Sequence, residues 1–485
     1  MKRSGRIIII PAAFFFILNF AVSSVKTLFF SRFVYFLFLI SLFFFLRRFS
    51  LNKILKSTLG GISLIIFGYG IIQKFVLFPY YLKTITPEKD FYIQAVITRI
   101  KSGRIFSIFT LPTLYAIVCA LLILFILHYL LKSASGTEWV FWSFLLILGL
   151  GNLVLTQSFG GTLCLSAGIM LYLILSGIMR LKFLAPAVMI LALFFFLITG
   201  LRFSEAKKLE PVKLRMSNWT QAARMIGANL YWGQGLGNYE SEISNFTYPG
   251  EARSIYAHNF FLQFIAESGI FIPFTILVLL FCYRKRLKPR DYKKDDKVLY
   301  ISAFLTLLCY NLIDIGFYFF AAGIAGAICL SQVYPRSSKN LKLNTAVLIF
   351  LSVFLLVESI SDTFQRRGEY WLNRRDYTEA EINYKKSLAI NPFNLRAMMG
   401  YSQIYYDKTD YPRSEYYLDK VREIYPDSSF ANALKAKIAY EKKQYFNSLY
   451  FLRKASLKDR LRYSHKRQYE SIKNNLQVEL TKLQD

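Results

Sequence analysis

Long stretches in which nearly every residue is apolar alternate along this chain with short polar segments, and about 20 apolar residues carry a helix across a bilayer. Counting runs of about 17 residues or more as spans places helices near 7–25, 33–46, 59–78, 105–131, 138–155, 161–178, 183–201, 258–282, 298–317, 319–334 and 344–361. The expected fold is all-α: a polytopic membrane protein of about eleven transmembrane helices, residues 1–361, followed by helical repeats over 362–485. The run from Ile7 follows Met1-Lys2-Arg3-Ser4-Gly5-Arg6 and meets no small-residue cleavage site, so it reads as an uncleaved first span.

Composition agrees with the pattern. Charged residues make up 19% and hydrophobic residues 54%, whereas soluble domains carry roughly 25% charge, which argues against a soluble enzyme. Lys and Arg number 60 against 30 Asp and Glu, a net charge of +30. A nucleic-acid binder would gather such charge in one stripe. Here it sits in short loops: Lys2, Arg3 and Arg6; Arg47, Arg48, Lys53 and Lys56; Arg180 and Lys182; Arg284 through Lys297; and Arg336, Lys339 and Lys342. With eleven spans all five clusters fall on one side, which marks that side as cytoplasmic. The loops 79–104 and 202–257 and everything after the last span are then extracytoplasmic, on a multi-pass protein of the cytoplasmic (inner) membrane. The five cysteines lie in or beside apolar runs with no spacing that suggests a disulfide framework or a metal site.

From about residue 362 the chain turns charged and Tyr-rich and acquires a period. Tyr377, Tyr411 and Tyr445 are 34 apart, as are Ala380, Ser414 and Ser448, then Lys386, Lys420 and Lys454, and Pro392 and Pro426. A helix-turn-helix period of this length resembles the tetratricopeptide repeat. Such units stack into a concave surface, so a protein-docking module is expected there.

The long polar loop 202–257 is where chemistry is expected. His258 closes it and opens the next span. Asn259, Gln263 and Glu267 follow at intervals of four, on one helical stripe. Polar groups at membrane depth face a cavity or a partner; the stripe therefore reads as a polar pocket beneath His258 or as helix–helix glue. Arg215, Arg224 and Arg253 carry the guanidinium fork that grips phosphate oxygens. Arg215 and Arg224 are nine residues apart, which at 100° per residue turns them to opposite sides of a helix. Gly233, Gly235 and Gly237 alternate in a segment free to take positive φ or to let backbone approach a ligand.

Taken in order, Arg215-x-x-x-Trp219, Gly233-x-Gly235-x-Gly237-Asn238-Tyr239, His258-Asn259-Phe260-Phe261-Leu262-Gln263 and Glu267-Ser268-Gly269 resemble the O-antigen ligase and polymerase superfamily over roughly 140–320. Leu155-Thr156-Gln157-Ser158-Phe159-Gly160-Gly161 is similar to that family's upstream Thr-x-Ser-Arg-Gly element, except that Phe159 stands where the family usually has arginine. Asp314 sits where the family often has an acidic residue. The resemblance implies a metal-independent membrane glycosyltransferase of the GT-C type, with no cofactor and no nucleic-acid partner. Its donor would be a polyprenyl-diphosphate-linked glycan and its acceptor a glycan, lipid or protein. His258 and Arg215 would be catalytic. Arg224, Arg253, Gly235, Gly237, Asn259, Gln263 and Glu267 are candidates for substrate binding. A transporter or flippase of the same lipid-linked saccharides is the alternative, although transporters are expected to show repeated halves, and no such symmetry is visible.

Overall fold

The computed structural model of the protein describes residues 14–49, 51–84, 97–98, 100–178, 210–248, 251, 254–283, 296–334 and 341–458. Every regular element among them is helical. Helices Lys26–Leu46, Pro112–Leu131 and Gly136–Thr156, a continuous Asn52–Thr84 and a long Asn344–Asn373 segment are each apolar and long enough to cross a membrane. Shorter apolar helices occupy Phe159–Leu175, Lys297–Asn311 and Phe320–Val333, where spans are expected at 161–178, 298–317 and 319–334. The expected span at 183–201 and the first half of the one at 7–25 lie outside the described residues; residues 14–22 are helical.

Pro112–Leu131 is the hub of the bundle. It is apolar on every side, as a helix surrounded by others must be, and Tyr115, Ala116, Ile117, Ile123, Leu124 and Ile126 are fully buried. Pro112 opens it at a position where no backbone donor is needed. Ser135 starts the next helix by accepting from Glu138 N at 3.2 Å, and Ser158 starts Phe159–Leu175 by accepting from Gly161 N at 3.2 Å. Between these two helices Gln157 takes a left-handed φ of 50°, which makes the connection a tight turn.

Polar contacts separate the two ends of the bundle. At one end Asp296 accepts from Asn52, Lys132 and His128, Lys56 pairs with Glu138 at 3.0 Å, and Leu51 N donates to the Gln332 side chain at 3.2 Å. The opposite end carries the turn 23–25, the Glu210–Ala228 helix and the start of Phe260–Ser268.

The expected single span 258–282 is instead two helices, Phe260–Ser268 and Phe271–Tyr283, that meet at 110°. The cause is Gly269, at φ 70°. A Cβ there would lie 2.2 Å from the Tyr231 carbonyl oxygen, so only glycine lets the chain turn at this point.

Composition changes at 362, yet the helix Leu341–Asn373 runs straight through that position. It packs on Lys26–Leu46 near its start and on Tyr377–Ile390 near its end, where Ser361 and Ser387 hydroxyls stand 3.0 Å apart. The 34-residue period is visible in the backbone. Helices begin at Tyr377, Tyr411 and Tyr445, each just after a non-glycine residue in the left-handed region: Arg375, Thr409 and Lys443, at φ 59°, 60° and 60°. Ser414 donates to Ser402 O at 2.8 Å and Ser448 to Ala436 O at 2.9 Å, the same bond one repeat apart.

Candidate active site

His258 lies between two helix starts. Asn259 caps the helix that follows, accepting from Leu262 N at 3.1 Å, and its amide donates to Leu312 O at 2.8 Å. Phe260 N donates to Asp314 O at 3.0 Å. These bonds tie the His258 segment to the loop after Lys297–Asn311 and bring Asp314 to the imidazole: His258 Nδ1 is 3.2 Å from Asp314 Oδ1. The carboxylate is buried, while the histidine side chain keeps 31% of its surface open. Ile315 N and the Tyr310 hydroxyl also donate to Asp314, at 2.9 and 3.2 Å. His258 itself has φ 51°, an uncommon backbone state for a side chain of this size and one that concentrates at functional sites.

The Glu210–Ala228 helix supplies the third member. Trp219 Nε1 donates to the His258 carbonyl at 3.2 Å. Arg215 is one turn earlier on the same face and within electrostatic reach of Asp314. The spacing Arg215-x-x-x-Trp219 thus has a physical sense: the indole anchors the helix to the histidine backbone, and Arg215, one turn earlier, shares that face. Arg224, half a turn of phase away, faces elsewhere. It forms a two-pronged pair with Glu251 at 2.8 and 2.9 Å and covers the Tyr248 ring at 3.8 Å, and the paired guanidinium holds the Glu251 carboxyl below its usual range. Arg253 lies outside the described residues.

The polar stripe is a chain of satisfied bonds. Gln263 accepts from Ala257 N at 3.1 Å and donates to Glu267 Oε1 at 3.1 Å. Glu267 Oε2 accepts from Gly237 N at 2.8 Å and from the Tyr318 hydroxyl at 2.7 Å. Buried, this side chain binds the bent helix to the glycine loop. Gly235 and Gly237, at φ 96° and 78°, press against Ser23 and the Leu28 carbonyl; a Cβ at Gly235 would come within 2.5 Å of Ser23. Asn238 completes the seam, accepting from Val25 N at 3.0 Å and donating to Ser23 Oγ at 2.6 Å.

Several neighbours escaped the sequence reading. The Tyr256 ring is 6.5 Å from that of His258 and 6.0 Å from Phe319. Arg32 donates to Tyr318 O at 3.1 Å and lies over the Tyr318 ring at 4.5 Å. Arg32, a cation within a mostly apolar helix, was the available signal. Beside the Thr156-Gln157-Ser158-Phe159 segment a guanidinium stands: Arg104 Nε donates to Thr156 O at 2.9 Å. Among the described residues no three His, Cys, Asp or Glu side chains gather in an arrangement that could hold a metal ion.

Residues 144–272 match the model of the O-antigen ligase family. The matched stretch contains Arg215, Trp219, the glycine loop, His258 and Glu267 and stops short of Asp314. No curated protein and no solved structure matches the chain. The matched segment is thus similar to glycosyltransferase-like enzymes of the O-antigen ligase type, and the apolar helices fit a multi-pass membrane protein.

Proposed function

We propose that the protein transfers a polyprenyl-diphosphate-linked saccharide to a glycan, lipid-core or protein acceptor at the outer face of the cytoplasmic membrane, as an O-antigen ligase or polymerase. The observation that carries this reading is the His258–Asp314 contact, with the Arg215 helix anchored to the His258 carbonyl through Trp219. When Nδ1–H donates to Asp314, the Nε2 lone pair is left to accept a proton. The more exposed imidazole then acts as general base on an acceptor hydroxyl, and Asp314 orients the ring and stabilises its cation. Attack at the anomeric carbon breaks the C–O bond to the diphosphate. Negative charge grows on that leaving group, where a guanidinium stabilises the transition state more than the ground state. No metal or cofactor is needed for either step. The 34-residue hairpins fit tetratricopeptide repeats on the same outer side as the site.

The test is transfer of a labelled polyprenyl-diphosphate glycan by purified protein with a chelator present. Transfer is expected to persist, and dependence on added divalent metal overturns the mechanism. In the same assay Arg215→Lys, which keeps the charge and loses the fork, is expected to cut transfer severely at unchanged protein level. Full activity would reduce Arg215 to a lipid-facing charge. Orientation has its own check: a reporter active only in the cytoplasm, fused at Asp485, is expected to stay dark, and a bright reporter reverses the topology.

A further inference from the structure

The repeat module touches the site segment directly. Arg396 Nη2, in the helix Leu395–Asp407, lies 2.8 Å from each carboxylate oxygen of Glu240. The Tyr425 hydroxyl donates to Ser241 O at 3.3 Å. Glu240 and Ser241 belong to the short Tyr239–Glu242 turn, which follows the glycine loop without a break. From that loop the bonds continue inward without a gap: Gly237 N to Glu267, Glu267 to Gln263, and Gln263 to Ala257 N, the residue before His258. Tyr256, one residue further back, sets its ring edge-on to that of His258 at 6.5 Å, so the bonded chain ends at the histidine segment.

We propose that the repeat module is a wall of the transfer site and that Arg396 is a positioning residue: by holding Glu240 it fixes the glycine loop and, through Glu267 and Gln263, the backbone that sets His258. The inference rests on the functional reading above for its effect on transfer, and on the bonded chain alone for its effect on structure. Side chains of Arg396 and Glu240 are 57% and 41% exposed, and an exposed ion pair contributes little to global stability. Its loss therefore acts locally. A contiguous bonded network is a physical route for such an effect, provided that breaking one member moves the others.

The experiment uses the full-length protein in detergent with three variants: Arg396→Glu, Glu240→Arg and the double exchange. Two readouts are taken, amide hydrogen exchange of peptides covering 235–242 and 255–266, and steady-state transfer with donor kcat and KM separated. Each single variant is expected to speed exchange in both peptides and to lower kcat about three- to tenfold with donor KM unchanged, the size expected from replacing a modest ion pair by a like-charge contact. The double exchange restores the pair with reversed sign and is expected to recover both readouts. Unchanged exchange at 255–266 in the single variants, or failure of the double exchange to recover it, overturns the positioning role. If the unaltered protein shows the expected exchange behaviour but transfers no glycan, the bonded chain stands and the glycosyltransferase reading falls.

Discussion

Replacing His258 by Ala is expected to reduce transfer about 10²- to 10⁴-fold, the usual cost of removing a group that moves a proton in the transition state. Donor binding should survive, because the diphosphate is assigned to Arg215 on a different helix, so the loss falls on kcat. Asp314→Asn tests the second half of the pair. The amide offers its own N–H to Nδ1 and favours the ring form whose proton sits on Nε2, where the lone pair is needed. Because the two residues act as a unit, His258→Ala with Asp314→Asn should be about as impaired as His258→Ala alone. Single-turnover transfer of labelled donor, with donor binding measured in parallel, reads all three variants. Near-normal turnover in His258→Ala would return the residue to an interfacial cap.

Glu267→Gln is expected to destabilise the folded protein by about 1–3 kcal/mol, the cost of leaving a buried polar group unpaired, and to impair transfer less than His258→Ala does. Both carboxylate oxygens of Glu267 act as acceptors, one for Gln263 Nε2 and the other for Gly237 N and the Tyr318 hydroxyl. A glutamine offers one oxygen and one NH₂, so a donor must face a donor. Gln263 cannot relieve the conflict by flipping, since its own oxygen is engaged with Ala257 N. Thermal unfolding in detergent measures the effect. An unchanged midpoint would show that the seam tolerates the exchange and that the buried carboxyl serves something other than this clamp.

That Arg215 and Trp219 share one face of a helix was legible because local geometry translates spacing into direction, whereas the bond from Trp219 to the His258 carbonyl, 39 residues on, was not. The same reasoning set Arg215 and Arg224 on opposite faces: Arg224 pairs with Glu251, while Trp219, on the Arg215 face, bonds to the His258 carbonyl. The bend at Gly269 was hidden, since hydropathy counts apolar residues and is blind to backbone sign. The signal for it was the glycine after Ser268, a common end to a helix. Contacts made across more than 200 residues, Asn19 and Asn238 with the opposite segment, could not be read from one chain without an alignment. The stripe Asn259, Gln263 and Glu267 was legible as a stripe, but its partners were not, because they come from the glycine loop and the loops after Asn311. The 34-residue period was readable throughout, yet the continuous helix that leads into it was not, because a change of composition says nothing about whether a helix stops.

Three helices around the site are short. Phe159–Leu175, Lys297–Asn311 and Phe320–Val333 have 17, 15 and 14 residues, about 26, 22 and 21 Å at 1.5 Å per residue, against a hydrocarbon core of about 30 Å. Two of them end within a few residues of Asp314. Such a mismatch is met by pinching the bilayer around the short elements. If these helices cross the bilayer, the His–Asp pair sits at the bottom of a dimple, beneath the plane that lipid headgroups occupy elsewhere. On the proposed function, a lipid-borne diphosphate would then reach the site laterally, with its tail still solvated by neighbouring acyl chains, while a water-borne acceptor would descend from above.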